Sequence, residues 1–208
     1  MSDYPGQLPP EQEKTLIQQA RGGDAAAMEA LLSAHQDRVF RTALGLLGGN
    51  QEAALEVSQE VLVSVFRHLE QFRGESRFTT WLYRMTVNFA KNRSVAEGRR
   101  ASRFVSLDTT PEQDDEARPR EYAVARPSPR EEAAGGEMMA IMMSRIDELA
   151  EEFRAVLILR YMEDRSYEEI SEVLGVPLGT IKSRINRGRS ELRRLMADVL
   201  PGGRGAEL

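Results

Sequence analysis

Lys182, Arg184, Arg187 and Arg189 fall within GTIKSRINRGR, residues 179–189, with no acidic residue among them. Ammonium and guanidinium groups at this density neutralise phosphates, and the interleaved Asn186 adds a side chain able to pair with adenine. The strip stands out because the 208-residue chain is acidic, with a formal net charge of -5 and a pI near 5.3. A second basic island covers 72–103, where eight basic side chains face two acidic ones; 179–200 holds six against two. The segments 1–71, 104–137 and 138–178 each carry a net charge of -5. Screening confines each patch's field to about 10 Å, so segregated charge acts patch by patch and the overall pI says little about partners.

The second island differs in kind. Five of the chain's 13 aromatic residues fall in it: Phe72, Phe78, Trp81, Tyr83 and Phe89. On a helix, Arg77, Arg84, Asn88 and Lys91 share one face, while Phe78, Trp81, Leu82, Met85 and Phe89 form an opposite, buried stripe. Trp81 is therefore read as core. Phe72 lies outside that stripe in FRGES, with Gly74 for flexibility and Ser76 as N-cap. An aromatic in a basic loop is what stacking on an unpaired base needs, and a hydrophobic staple over the helix start fits the spacing equally well.

Other chemistries find no residues to carry them. The absence of cysteine excludes disulfides and thiolate metal sites. His35 and His68 are far apart and form no ligand motif. There is no glycine-rich phosphate loop and no histidine–carboxylate constellation, so neither an enzyme nor a cofactor is expected. No apolar run approaches the roughly 18 residues of a membrane span. The N-terminus MSDYPGQLPPEQEK lacks a signal-peptide core, and a cytoplasmic protein is expected.

Apolar residues recur at spacings of three and four throughout, which predicts an all-α fold. Helices are expected over about 11–21, 24–47 (ended by Gly48, Gly49 and Asn50), 51–69, and from 77 into the nineties. The third would bury Ala54, Val57, Val61, Val65 and Leu69. From 104 to 136 the pattern collapses into a segment with four prolines, many carboxylates and few large apolar groups. Such a composition buries too little surface to offset its ordering entropy, so it reads as a flexible acidic linker. Periodicity resumes at Glu137 and runs to Leu200. The expected organisation is a disordered N-terminus (1–10), a first helical domain (11–100), a linker (101–137), a second helical domain (138–200) and a tail (201–208). In the Met-rich run EMMAIMM (137–143), core packing is the simpler reading and an adaptable partner surface the alternative.

The second domain contains SYEEISEVLGVPLGTIKSRINRGRSELRRL. Ser166 and Glu169 form a capping box, Ile170, Val173 and Leu174 a buried stripe, and Gly175 a stop. Pro177 suits the first turn of the next helix, which buries Ile181, Ile185, Leu192 and Leu195. Two helices joined by a short turn containing glycine make a helix-turn-helix, whose second helix enters the DNA major groove. Thr180, Lys182, Ser183, Asn186 and Arg187 lie off its apolar stripe.

QEVLVSVFRHLEQFRGESRFTTWLYRMTVNFAKN resembles region 2 of extracytoplasmic-function (group 4) sigma factors, and LAEEFRAVLILRYMEDRSYEEISEVLGVPLGTIKSRINRGRSELRRL resembles their region 4. The resemblance implies a dissociable subunit of bacterial RNA polymerase built from two small helical domains, usually controlled by an anti-sigma factor. It implies that Phe72, Ser76, Arg77, Arg84, Asn88 and Lys91 serve the -10 element, Phe72 and Asn88 lining a pocket for a flipped-out base. It places Thr180, Lys182, Ser183, Arg184, Asn186 and Arg187 at the -35 element. Glu56, Gln59 and Glu60 would dock on the β′ clamp coiled coil, and the domain containing Leu157 to Tyr161 would meet the β flap. A membrane-bound anti-sigma factor would hold the chain at the membrane without insertion.

The sequence departs from the family pattern in places. Ala54, Leu55 and Glu56 keep one acid where an acidic pair is common, and the linker is long and very acidic. Asp114, Asp115 and Glu116 there would mimic nucleic acid in the RNA-exit region. Two rivals are weighed against this reading. A decoy that sequesters an anti-sigma factor would not need the basic faces, and a simple helix-turn-helix regulator would leave 72–91 unexplained.

Overall fold

The computed structural model describes residues 8–96 and 141–197. The expected linker, the tail, most of the N-terminal segment and Asp114, Asp115 and Glu116 lie outside the described residues. Every regular element among the described residues is helical. Helix α1 spans Pro10–Arg21, α2 Ala25–Leu46 and α3 Gln51–His68; a 3-10 turn follows over Leu69–Gln71, then α4 over Phe78–Ala96. A helix over 141–148 (α5) leads into α6, Glu151–Leu157, which widens into a π-helical turn at Ile158–Met162. Helices α7, Tyr167–Leu174, and α8, Leu178–Leu195, complete the fold. None is long and apolar enough to cross a membrane.

The helix ends follow local chemistry. Pro10 stands at the first position of α1, where its missing N–H costs nothing. The Asp24 carboxylate accepts from the N–H groups of Ala26 and Ala27 and starts α2. Gly48 and Gly49 take positive φ (63° and 86°), turning the chain between α2 and α3. Asn50 belongs to the following helix, because its side chain caps α3 by accepting from Ala53 N–H.

Packing rather than propensity holds these helices, since burying one Leu or Ile is worth about 1.5–3 kcal/mol and a cap only about 1. The expected α3 stripe is buried throughout, Val61 and Val65 at 0% exposure and Leu69 at 2%. It packs with Leu31, Val39 and Ala43 of α2 and Leu82 of α4. In the C-terminal part Val156, Ile158, Leu159, Ile170, Ile181 and Ile185 are fully buried. Gly188 lets α8 approach α6 closely: a Cβ there would lie 3.2 Å from side-chain atoms of Phe153 and Leu157. Met143 is buried, so the described end of the Met-rich run joins the core, and residues 137–140 lie outside the described residues.

The buried side of α4 is rotated from the expected one. Phe78 and Leu82 are buried, but Trp81, Met85 and Phe89 are only half-buried, while Tyr83, Thr86 and Ala90 are fully enclosed. The reason is tertiary: α4 packs on α2 and α3 and also on α7. A helix held from more than one side has no single apolar stripe.

Candidate nucleic-acid and polymerase interfaces

The helix-turn-helix is built as its sequence dictates. Ser166 Oγ accepts from Glu169 N–H (3.1 Å) while the Glu169 carboxylate accepts from Ser166 N–H (2.9 Å). Gly175 takes the left-handed conformation, φ 67°, that ends α7. Pro177 sits one residue before α8 as its N-cap. Ile181, Ile185 and Leu192 are buried and Leu195 is half-buried, so the stripe is as expected. This fixes the opposite side of α8: Asn186 and Arg187 are exposed, and Thr180, Lys182 and Ser183 are half-exposed. Arg184 differs. Its Nη2 lies 2.8 Å from Glu152 of α6, both side chains being about four-fifths covered. Facing its own domain, Arg184 fastens α8 to α6 and does not line the outward face.

On α4, Asn88 and Lys91 are exposed. Arg77 and Arg84 meet acidic groups of α7. Arg77 Nη1 lies 3.2 Å from Glu169 Oε1; Arg84 Nη2 lies 3.6 Å from the Glu172 carboxylate, and Arg84 donates through Nε and Nη2 to the Glu172 main-chain carbonyl at 3.0 and 2.8 Å. Phe72 does not escape the aromatic stripe. It is 8% exposed and packs on Phe78 and Trp81, with ring centroids 5.5 and 5.4 Å away. Its burial follows from the 3-10 turn, where Phe72 N–H donates to Leu69 O and folds the loop back over α4. Ser76 is no N-cap, because its hydroxyl donates to Arg77 O (3.3 Å) and α4 starts at Phe78. A cleft of about 300 Å³ opens between this loop and α4, lined by Phe72, Gly74, Ser76, Trp81 and Arg84, and closed on one side by Glu172.

Gln59 and Glu60 are exposed on α3, and Glu56 is ion-paired with Arg93 of α4. Beside them lies an apolar strip the sequence reading missed: Leu55, Val63 and Phe66 are 53%, 46% and 64% exposed. Its signal was present. Leu55, Val63 and Phe66 recur at offsets of eight and three, a second stripe on a helix that already had one. In the other domain Leu157, Ile158 and Leu159 are buried, leaving Tyr161 (55% exposed) as the apolar group of that segment a partner can reach.

A further constellation joins the two halves and carries no sequence signal. Glu163, at the end of the π turn, is 5% exposed. Its carboxylate accepts from Thr42 Oγ1 of α2 (2.9 Å) and from the Tyr83 hydroxyl of α4 (2.8 Å). Burial, reinforced by the Glu163 charge, pushes the Tyr83 hydroxyl well above the ordinary phenol range, so it remains a donor. Arg154 of α6 donates through Nη1 to Leu46 O at the end of α2 (3.0 Å) and through Nε to Ile146 O (3.1 Å). The partners that join the two halves are eighty or more positions apart and leave no periodicity to detect.

Two family descriptions match in chain order: "Sigma-70 region 2" over residues 31–100 and "Sigma-70, region 4" over 139–192. The RNA polymerase sigma-H factor of Pseudomonas aeruginosa is 35% identical over 194 residues, spanning 93% of this chain and 98% of that protein. The ECF RNA polymerase sigma-E factor of Haemophilus influenzae is 34% identical over 188 residues, spanning 90% and 97%. Among solved structures, CnrH in complex with the cytosolic domain of CnrY has the same fold. Its TM-score is 0.63 at 19% identity, over 90% of this chain and 98% of that one. The sigma factor RpoE of Bartonella quintana, solved with the anti-sigma factor NepR, gives 0.56 at 20%, over 79% and 93%. Region 2 corresponds to α2–α4 and region 4 to α5–α8, and identity above 30% extends over nearly the full length of both curated relatives. The chain belongs to the extracytoplasmic-function sigma factors of the sigma-70 family.

Proposed function

We propose that this chain works as a dissociable initiation subunit of bacterial RNA polymerase, reading duplex at the -35 element through α8 and single strand at the -10 element through α4 and the FRGES loop. The observation that carries the division of labour is the difference between the two basic faces. Helix α8 presents Lys182, Ser183, Asn186 and Arg187 along an outward face following a capped turn, the geometry of a major-groove reader. Helix α4 instead sets Arg84 in the wall of a cleft lined by Phe72 and Trp81, with Asn88 and Lys91 exposed further along the helix and Arg77 just before it, which suits an extruded base flanked by phosphates. Phe72 supplies the floor of that cleft through its packed ring edge. Arg184 acts through the domain it braces.

The exposed apolar strip of α3, with Gln59 and Glu60 at its side, is the surface for the β′ clamp coiled coil, and Tyr161 lies where the β flap would meet region 4. An anti-sigma factor restrains the chain, a reading supported by the similar sigma factor RpoE of Bartonella quintana, which was solved in complex with the anti-sigma factor NepR. The chain acts by binding, not as an enzyme, and works in the cytoplasm, at the membrane only by way of a membrane-bound partner. The acids Asp114, Asp115 and Glu116 act in the RNA-exit region.

Run-off transcription with purified core polymerase on genomic promoter fragments tests the reading. Initiation at discrete start sites that depends on this chain, and on both promoter elements, is expected. Binding to an anti-sigma factor without any specific initiation would favour the decoy instead.

A further inference from the structure

We propose that Glu13 and His35 are positioning residues for the -10 cleft: α1 holds the His35 ring, which holds Phe78 and through it the aromatic wall of Phe72 and Trp81. This rests on the reading of that cleft as the -10 site. Helix α1 precedes the stretch matched to sigma-70 region 2, which begins at residue 31, and none of the proposed interfaces uses it. His35 breaks a rule of cores. It sits in α2 at 3% exposure with neither ring nitrogen in an aligned hydrogen bond. Nε2 nonetheless lies 3.0 Å from Glu13 Oε1 of α1, a side chain 20% accessible. Two lone pairs at that distance would repel, so Nε2 carries a proton and the carboxylate fixes which way the ring faces. A buried imidazole with so few partners costs stability that an apolar residue of similar size would not. Such exceptions gather where a side chain has a task besides packing.

The other side of the ring shows the task. His35 meets Phe78 edge-on, with centroids 5.2 Å apart and planes at 60°. Phe78 is the first residue of α4, 2% exposed, and no cap from Ser76 anchors the helix there. Its ring continues to Phe72 at 5.5 Å and to Trp81 at 5.8 Å, and these two, 5.4 Å apart, line the cleft. Four rings thus run from the α1 carboxylate to the cleft wall, in the edge-on and tilted arrangements that aromatic pairs prefer. Helix α1 also packs on the 3-10 turn Leu69–Gln71 that delivers Phe72, with Ile17 and Ala20 buried. Both routes to the cleft wall start from α1. An extruded base needs that wall already in place, since ordering it at the moment of melting would cost binding free energy.

Glu13→Ala is the principal variant, because the side chain is partly accessible and its loss leaves no enclosed cavity. Glu13→Gln keeps an oxygen that can accept from Nε2–H, and Glu11→Ala removes an exposed carboxylate from another side of the same helix. Trp81 is the only tryptophan of the chain, so its emission reports the cleft wall directly. Four quantities are followed: Trp81 emission of the full chain, its circular dichroism, -35 duplex binding by holoenzyme, and permanganate reactivity of the -10 thymines at matched promoter occupancy. Glu13→Ala should shift the emission to the red and lower thymine reactivity by about two- to tenfold, the weight of one edge-on aromatic contact. Helix content and -35 binding should stay at the parental level, Glu13→Gln should rescue both defects, and Glu11→Ala should show neither. Unchanged emission in Glu13→Ala overturns the proposal, as does a failed rescue by Glu13→Gln or an equal loss of -35 binding. Normal melting by Glu13→Ala, beside defective melting by Arg84→Ala, sinks the positioning role alone. Normal melting by Arg84→Ala holoenzyme sinks the -10 reading on which it rests.

Discussion

Helices α4 and α8 carry similar charge and do opposite things with it. On α8 one face is buried, the other points outward, and the residues proposed to read duplex sort themselves by periodicity alone. On the α4 side, Arg84, which lines the cleft beside the FRGES loop, and Arg77, just before the helix, are paired with Glu172 and Glu169 of the other region. The contrast teaches that a basic strip in an acidic protein is defined by what the fold sets against it. The acidic segments around each island are not inert background: the Glu169 and Glu172 carboxylates lie 3.2 and 3.6 Å from Arg77 and Arg84.

The largest expected effect separates the regions by stability. Ile185→Ala empties a fully buried site in a small helical unit and should cost about 2–5 kcal/mol. Region 4 would then melt first in a thermal scan, with -35 duplex binding lost and the helices of region 2 retained. A single cooperative transition for this variant would mean that the two regions stand or fall together.

Next, Arg187→Ala should weaken -35 duplex binding by about 1–3 kcal/mol and lower the salt slope by roughly one, measured by anisotropy with holoenzyme across a salt series. Arg184→Ala sharpens the comparison within α8. Held against Glu152, this arginine should lower the melting temperature without changing the salt slope by a full phosphate contact.

The Tyr83 hydroxyl gives a titration with a definite sign. Its folded-state pKa is raised above the unfolded value of about 10, so the folded chain keeps a proton that the unfolded chain loses. The contribution is intact below pH 10 and is lost as pH rises beyond it. Denaturant melts between pH 9 and 11 should show falling stability, and Tyr83→Phe should flatten that fall. The smallest effect is predicted for Arg77→Ala. Its pair with Glu169 is exposed, and stability should change by at most about 0.5 kcal/mol. A larger loss would show that the exposed pairs, and not Glu163, hold the regions together.

Much of this was legible in the sequence because it is local. The capping box Ser166–Glu169, the Gly175 stop and the α3 stripe each lie within a few positions of one another, and spacing reveals them. The α8 face followed for the same reason. What escaped was set by other elements. Tyr83, flanked by polar and apolar neighbours alike, is buried where Glu163 and Arg165, between the π turn and α7, meet α4. Thr42 and Glu163 meet across 121 positions, and nothing in either neighbourhood announces it. Phe72 was misplaced because a 3-10 turn refolded its loop, and Arg184 because Glu152 belongs to a different helix. The exposed strip of Leu55, Val63 and Phe66 is a different case, since its periodicity was readable and was hidden only by the stronger stripe on the same helix.

Permanganate footprinting of the -10 segment, on holoenzyme at matched promoter occupancy, tests the division between the two faces most directly. With Arg84→Ala the thymines of the -10 segment should stay unreactive although the promoter is bound. With Arg187→Ala more holoenzyme should be needed to reach that occupancy, after which melting should be normal. Equal loss of reactivity in both variants at matched occupancy would contradict the assignment of melting to α4 and duplex recognition to α8.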